Sequence, residues 1–280
     1  MIFLMLLACA DKAGPSDTGE GADALTVEIP FRATVGGEAF RCGQTFRGLG
    51  TADSAIDPVD LRFYVYDVAL LSASGALQPL ALEQDGVWQR DEVALLDFED
   101  GSGDCATGSP DTHARVTGTV PAGDYVGISF NIGVPDAMNH LDAATAEAPL
   151  NDTGLWWSWT GGYKFLKIDA GTEAGRTFVF HLGATDCAKL EDGTYDCTLE
   201  NQASVSLDGF DPAADAVALD LADLYAESDL SGALAEGDMM PGCMSSEGDP
   251  ECTQLFAALG LPWGEASAPA AQTLFHVEAR

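Results

Sequence analysis

Short segments of alternating apolar and polar residues, separated by glycine and proline, constrain the fold of this chain most strongly. Its 280 residues include 31 glycines and 13 prolines, and 46% of the residues are hydrophobic. Alternation with period two is typical of half-buried strands. The segments predicted to be strands are 25–35, 60–71, 93–100, 114–121, 124–135, 156–170, 176–185, 202–210 and 273–280. Within 156–170 the Gly161-Gly162 pair predicts a bulge or bend. This pattern predicts an all-β fold, an antiparallel β-sandwich with long loops.

Two segments near the C-terminus predict short helices. Residues 216–228 indicate a strand leading into a short helix, and residues 249–261 indicate a helix with Pro250 in its first turn and Gly260 at its end. The sequence has no internal repeat and no second domain boundary, so residues 25–280 are predicted to form a single β-sandwich domain. The long irregular segment 136–154 has the composition of a functional or mobile loop.

The N-terminus has the features of an exported lipoprotein. Residues 1–8 are apolar, and Leu6-Leu7-Ala8-Cys9 resembles a bacterial lipobox, in which Cys9 is lipidated and becomes the mature N-terminus. Residues 10–24 are small and polar, which predicts a flexible tether. We therefore expect a membrane-anchored lipoprotein in the periplasm or on the surface of a Gram-negative bacterium.

The charge balance excludes some partners. Lys and Arg number 12 against 45 Asp and Glu, giving a formal net charge of −33. Such a surface repels nucleic acid and anionic lipid, so neither is expected as a partner, and membrane contact is expected only through the lipid anchor. The acids are spread along the chain, which is equally consistent with a surface that only keeps the protein in solution.

The cysteine count predicts a disulfide framework. Seven cysteines minus the lipidated Cys9 leave an even number, as expected of an exported protein. The six are Cys42, Cys105, Cys187, Cys197, Cys243 and Cys252. Cys187 and Cys197 bracket one turn-rich loop, and Cys243 and Cys252 bracket another. The expected bridges are therefore Cys187–Cys197 and Cys243–Cys252, with Cys42–Cys105 as the third. Six cysteines allow about 15 connectivities, so other pairings stay open.

The run WWSWTGGYKF at 156–165 is the most unusual local feature. Three of the five tryptophans of the chain, Trp156, Trp157 and Trp159, lie within it. In sequence the run is flanked by two of only four histidines, His140 and His181. Histidine is the commonest metal ligand, and clustered aromatics suit redox chemistry or a shielded metal site. The alternative is a strand of the sandwich core that happens to carry large side chains.

Soft ligands suggest copper as the metal. Cu(I) favours imidazole and thioether groups. Besides the two flanking histidines, Met138, Met240 and His276 are weaker candidates for metal ligands. Three further residues carry imidazole or thioether groups. His113 follows a turn, and Met239 and Met244 cluster with Met240 around Cys243.

No catalytic motif is present, so the protein is not expected to be an enzyme. The sequence lacks G-x-S-x-G, a phosphate-binding loop, H-E-x-x-H and a dinucleotide fingerprint. The acidic stretch 97–104 is a weak Ca²⁺ candidate that lacks the complete EF-hand pattern. Its residues Asp97, Glu99 and Asp100 are also the only dense carboxylate cluster on which a hydrolase could depend.

Several motifs in order resemble the MbnP-like family, the four-cysteine members of "metallo-mystery pairs", which are methanobactin-associated periplasmic copper-binding proteins related to the CorA/MopE copper proteins. The segments that carry the resemblance are DLRFYVYDVALL (60–71), VALLDFEDGSGDC (93–105), VPAGDYVGISFNIGVP (120–135), NHLDAATAEAPLN (139–151), WWSWTGGYKFLKID (156–169), FHLGATDC (180–187) and PGCMSSEGDPEC (241–252). Together they extend over most of the chain beyond the tether.

The resemblance implies a copper protein that is the substrate of a di-haem c-type partner, similar to MauG and cytochrome c peroxidase. That partner oxidises a tryptophan to kynurenine, and the modified site binds copper with histidines. In this chain, His140 and His181 match the motif histidines, and the modified residue is one of Trp156, Trp157 or Trp159, with Trp159 favoured. The implied role is copper acquisition or homeostasis. The alternative function is a surface recognition module that binds glycan or protein through exposed tryptophans.

Overall fold

The structure is a computed structural model that describes residues 24–158, 160–234, 240–269 and 271–280. Its strands are β1 Ala24–Val35, β2 Glu38–Ala39, β3 Phe46–Leu49, β4 Ser54–Ser72, β5 Leu77–Pro79, β6 Ala81–Leu82, β7 Gln89–Arg90, β8 Val93–Asp97, β9 Arg115–Pro121, β10 Tyr125–Ile132, β11 Trp156–Ser158, β12 Gly162–Tyr163, β13 Leu166–Thr172, β14 Thr177–Leu182, β15 Thr185–Lys189, β16 Tyr195–Leu199, β17 Ala203–Asp208, β18 Asp215–Asp220, β19 Gly242–Cys243 and β20 Phe275–Ala279. Its short helices are α1 Asp136–Asn139, α2 Leu221–Leu224 and α3 Cys252–Ala258, with a 3-10 turn at Thr153–Leu155.

Two large sheets form a sandwich, as the alternating pattern predicts. The smaller sheet has the order β20-β18-β1-β9-β6, with β2 added to β1. The larger sheet has the order β17-β10-β4-β13-β14-β19, and β3, β5, β7 and β8 join it around β4. Most pairs are antiparallel, but β1–β18 and β14–β19 are parallel, so both sheets are mixed.

Four phenylalanines, two from each sheet, form the centre of the sandwich. Phe31 and Phe275 belong to the smaller sheet, and Phe63 and Phe130 to the larger one. Their rings meet edge to face, with centroids 5.5–6.1 Å apart. Aromatic pairs in this arrangement contribute roughly 0.5–1.5 kcal/mol beyond the area they bury.

The 19-residue strand β4 is buried along most of its length, in contrast to a strand with one solvent face. Its inner face carries Leu61, Phe63 and Val65 towards the sandwich core, whereas Arg62 and Tyr64 lie on the outer face. The outer face is also buried because the segment 136–165 covers it. Tyr64 packs edge to face against Tyr163 of that segment, with ring centroids 5.9 Å apart.

All three predicted disulfides are present: Cys42–Cys105, Cys187–Cys197 and Cys243–Cys252. The short helices predicted near the C-terminus are also confirmed as α2 and α3. The break predicted at the Gly-Gly pair within 156–170 is confirmed, because the chain bends at Gly162, whose φ is +68°, and forms β11, β12 and β13. Glycine adopts this left-handed conformation without the clash a side chain would introduce.

The predicted lipobox, Met1–Cys9, lies outside the described residues, and so does the predicted tether except for Ala24. That last residue is already the first residue of β1, where it pairs with Pro121. Trp159 and Met239 also lie outside the described residues. In the described part of the chain, no helix combines the length and the hydropathy that a membrane-spanning helix requires.

Candidate metal centre

A row of buried charged side chains crosses the outer face of the larger sheet beneath the segment 136–165. Arg62 Nε and Nη2 donate to the carboxylate of Asp60 at 2.8 and 2.5 Å, and Lys167 Nζ donates to the same carboxylate at 2.5 Å. Lys167 Nζ also lies 3.5 Å from Oδ2 of Asp169. Charges in such a place are tolerated only when they are paired and hydrogen-bonded.

His181 forms one end of this row. It is buried on β14, opposite Lys167, and its Nε2–H donates to Oδ1 of Asp169 at 2.7 Å. Its Nδ1 is buried and has no hydrogen-bond partner among the described residues. Burial works to raise the pKa of Asp169, but the hydrogen bond from His181 and the charges of Lys167 and Lys164 hold that pKa below its usual value. The carboxylate therefore fixes the proton of the imidazole on Nε2 and leaves a lone pair on Nδ1.

The other end of the row contains three further carboxylates. Arg62 Nη1 donates to Asp152 at 2.6 Å and lies 3.9 Å from Glu99. Asp97 is buried beside them, and burial raises its pKa to about 7, with the Arg62 charge opposing and the Glu99 charge adding to the shift. Burial likewise works against the charge of Arg62, but the hydrogen bond and charge of Asp60 keep its pKa above the ordinary value.

Trp157 packs against the backbone that follows His181. A Cβ placed on Gly183 would lie 2.5 Å from Cζ3 of Trp157 and 2.7 Å from the carbonyl oxygen of Tyr163, so only glycine permits this approach. The indole Nε1 of Trp157 is buried and has no hydrogen-bond partner among the described residues. A buried indole N–H normally finds a partner, so this group is a candidate to contact a bound species.

His140 approaches the same region from α1. Its ring stacks on Tyr195, with centroids 4.2 Å apart, and its Nε2 lies 3.4 Å from Sγ of Cys197. The preceding residue, Asn139, accepts a hydrogen bond from the backbone N–H of Tyr163 at 3.0 Å. The β15–β16 hairpin thus holds His140 from one side, and the tryptophan hairpin β11–β12 holds its helix from the other.

Ala184 connects these parts of the centre. It lines a cavity of about 320 Å³ together with Trp157, and also a narrower one of about 70 Å³ together with His140 and Tyr195. Ala184 therefore lies between the tryptophan hairpin and His140, three residues after His181 at the end of β14. We name this neighbourhood, consisting of His140, Trp157, Asp169, His181 and Ala184, the histidine–tryptophan centre.

The donor atoms of the centre are imidazole nitrogens, which suit copper as well as zinc, iron and nickel. Nδ1 of His181 is a buried nitrogen without a hydrogen-bond partner among the described residues. The sulfurs of Cys187 and Cys197 lie with His140 in a group whose potential ligand atoms are within 4.8 Å of one another, but they form a disulfide and offer no thiolate. The same holds for the group formed by Cys243, Asp249 and Cys252.

The weaker candidates lie in different surroundings. His276 is exposed on β20 in the smaller sheet, Met138 packs against the core, and Met240 is exposed. Met244, which the sequence only grouped with its neighbours around Cys243, lines the Trp157 cavity. His113 has a structural environment, since Nδ1 bonds to the Leu95 carbonyl oxygen at 2.8 Å and the ring stacks on Trp88; burial lowers its pKa.

The acidic stretch 97–104 does not converge on one point. Asp97 and Glu99 are buried, whereas Asp100 is exposed and accepts hydrogen bonds from the backbone and side chain of Ser102. Glu99 accepts from the backbone N–H groups of Gly101 and Ser109. These carboxylates therefore stabilise their own loop, and neither a Ca²⁺ cage nor a pair of hydrolytic carboxylates is apparent in their arrangement.

A sandwich of mixed sheets with three disulfides is typical of extracytoplasmic β-proteins. The family model described as MbnP matches residues 24–245, and the chain belongs to the MbnP family. It is similar to the solved structure of MbnP from Methylosinus trichosporium, with 33% identity, a TM-score of 0.81, and coverage of 92% of this chain and 99% of that one. Comparison with curated protein sequences gives no match. Family membership and the three disulfides together indicate an extracytoplasmic protein.

Proposed function

We propose that this protein is a copper-binding protein, anchored as a lipoprotein through Cys9, that acts in copper acquisition or homeostasis and is not an enzyme. The observation that carries the proposal is the state of His181. Its Nε2–H is committed to Asp169, and its buried Nδ1 has no partner among the described residues. An imidazole oriented by a carboxylate through one nitrogen, with the other nitrogen free, has the arrangement found in histidine metal sites.

The copper ligands in this proposal are His140, His181 and one modified tryptophan. Oxidative opening of the indole by the di-haem MauG-like partner, followed by loss of the C2 carbon as formate, leaves kynurenine with an aromatic amine and a ketone. Opening of the C2–C3 bond takes up the oxygen atoms of two waters, and four electrons pass to the oxidised haems of the partner while four protons pass to solvent. A third water then hydrolyses the N-formyl group and releases the formate. The position of Trp157 against Gly183, two residues after His181, supports the assignment of the reaction to this run of tryptophans. Trp156 and Trp159 are the other candidates; the sequence does not distinguish the three, and Trp159 is the one we favour.

The chain's own residues have distinct roles in this proposal. Asp169 holds the tautomer of His181, and Tyr195 holds the ring plane of His140 by stacking. The covering segment 136–165 limits solvent access to the outer face of the larger sheet. A dry site with soft ligands favours Cu(I) over Cu(II) and limits redox cycling. The acidic surface would suit docking to a basic patch on the haem partner.

The recognition-module alternative requires the indoles to form an exposed platform. The indole nitrogen of Trp157 is buried, and its ring packs against Gly183. Neither feature favours a glycan platform. The burial of Trp157 therefore favours the copper proposal over the recognition module.

Mass spectrometry on protein produced with and without its neighbouring di-haem gene tests the proposal. We expect a gain of about 4 Da, that of kynurenine formation, on the peptide spanning Trp156–Lys164 only when the partner is present. Fragment ions assign the modification to one tryptophan, and Trp→Phe variants at 156, 157 and 159 provide the matched controls. A peptide that stays unmodified beside an active, fully haem-loaded partner would contradict the proposal.

A further inference from the structure

Met244 lies at the mouth of the cavity beside Trp157. Its side chain is 39% exposed, in the loop directly after β19. Together with Trp157, Asp186 and Cys187 it lines the cavity of about 320 Å³ described above. The thioether of methionine is a soft ligand of the kind Cu(I) prefers. A soft donor therefore stands where solvent meets the histidine–tryptophan centre.

The backbone on both sides of Met244 is fixed. Cys243 is fully buried, pairs with Phe180 of β14 and is bridged to Cys252. Ser245 is also fully buried, and its Oγ–H donates to the carbonyl oxygen of His181 at 2.9 Å. Met244 is thus held against the backbone of His181 by the residues before and after it. An exposed methionine on such an anchored backbone is pre-positioned, because only its side-chain torsions remain free.

The same cavity carries a negative charge. Asp186 lies in β15 between Thr185 and Cys187, and it adopts the left-handed conformation with φ +53°. Its carboxylate is exposed and lines the cavity with Met244. A carboxylate at a cavity mouth raises the local concentration of cations. The cavity therefore combines attraction of a cation with a ligand that selects soft metal ions.

We propose that Met244 is a capture ligand, through which Cu(I) passes from solvent to the histidine site. The proposal rests on the proposed copper function. In the first step the Sδ–Cu bond forms as a bond to the copper donor breaks; in the second a bond from copper to a histidine nitrogen forms as the Sδ–Cu bond breaks. The metal stays Cu(I) throughout.

Met244→Leu tests whether Met244 accelerates the uptake of Cu(I), with Met240→Leu as the matched control. Leucine preserves volume and hydrophobicity, so folding is expected to be unaffected. Met240 is similarly exposed, at 44%, and lies four residues earlier, outside the lining of this cavity. In stopped-flow transfer of Cu(I) from a chelator, we expect uptake by M244L to be roughly tenfold slower, the scale of a lost supporting ligand. M240L should behave like the wild type. Equal rates in M244L and the wild type would overturn the proposal.

A second measurement detects the ligand directly. Ag(I) is a redox-inert substitute for Cu(I), and methyl-¹³C methionine labelling gives one resonance for each methionine, assigned with the two Leu variants. In a His181→Gln background, Ag(I) is expected to shift the Met244 methyl resonance and leave that of Met240 in place. An unshifted Met244 resonance would overturn the capture role. This result is independent of the proposed function, whose failure would appear separately as a wild-type protein that contains no copper after co-expression.

Discussion

The Nε2–H of His181 donates a hydrogen bond to Oδ1 of Asp169 over 2.7 Å, and both side chains are buried on neighbouring strands. A carboxylate oxygen can only accept here, so the ring nitrogen that faces it carries the proton. The relationship determines which nitrogen of His181 can bind a metal. It also connects the candidate centre to the buried ionic row through Asp169 and Lys167.

Asp169→Asn should weaken copper binding without abolishing it. The amide cannot hold the imidazole as the carboxylate does, so the tautomer and basicity of His181 change. Loss of such a supporting partner costs roughly 10–100-fold in metal affinity. Competition titration with a Cu(I) chelator measures the effect. Asp208→Asn, at an exposed position of β17 in the same sheet, is the control and should bind Cu(I) like the wild type. Equal Cu(I) affinities of the two variants would show that Asp169 does not support the metal ligand His181.

Arg62→Met should destabilise the fold strongly. The change leaves the carboxylates of Asp60 and Asp152 without their shared cation, and Asp60 is buried. Removing one partner of a buried ion pair costs roughly 3–5 kcal/mol of unfolding free energy. Arg32→Met removes an exposed pair with Glu278 and should cost at most about 1 kcal/mol. Urea denaturation followed by tryptophan fluorescence measures the unfolding free energy of both variants. Similar losses of unfolding free energy would show that the buried ionic row does not stabilise the fold.

The carboxyl of Asp97 should make the fold less stable as the pH rises. Its pKa is raised from 3.8 to about 7 by burial, against the charge of Arg62 and with that of Glu99. Between these values the folded protein keeps a proton that the unfolded chain has lost, so the unfolding free energy falls from about pH 4 to about pH 7. Asp97→Asn should flatten this part of the curve and increase stability at pH 8 by on the order of 1 kcal/mol. Exposed Asp124→Asn should leave the slope as it is, and a slope that persists in D97N would refute the assignment.

The two local disulfides should have separable effects. Cys243 and Cys252 are fully buried, so replacing both by alanine should cost roughly 2–5 kcal/mol of stability. Cys187 and Cys197 are half-buried in a separate two-stranded hairpin, and the same change there should lower stability less. It should nevertheless weaken copper binding, because that hairpin carries Tyr195 against His140. Calorimetry measures the stability of the two double variants, and titration measures their copper affinity. Equal losses of stability and equal copper affinities would contradict the separate roles of the two disulfides.

Much of the sandwich could be predicted from alternation alone. In 114–121 and 202–210 one face is apolar and the other polar, and both segments form strands with that burial pattern. The hairpin 185–199 could not be predicted in this way, because it is mostly exposed and is held by a disulfide instead of the core. The sequence feature that indicated this hairpin was the pair Cys187 and Cys197, which bracket a turn-rich loop.

The buried ionic row could not be predicted, and the reason is physical. Asp60, Arg62, Lys167 and Asp169 occupy every second position of their strands, which is the pattern of a solvated face. They are buried only because the segment 136–165, distant in sequence from β4, folds over them. The pairing of Asp169 with His181 had a local signal, since both lie in one hairpin that turns between Thr172 and Thr177.

The copper content and Cu(I) affinity of the co-expressed protein, compared with His181→Gln and His140→Gln, test the central claim most directly. We expect the wild type to be isolated with copper, and each variant to bind Cu(I) roughly 10–100-fold more weakly, on the scale of a lost or misoriented ligand. His276→Gln, at an exposed position of the smaller sheet, should match the wild type. Unchanged affinity in both H181Q and H140Q would contradict the account and place copper, if bound, elsewhere.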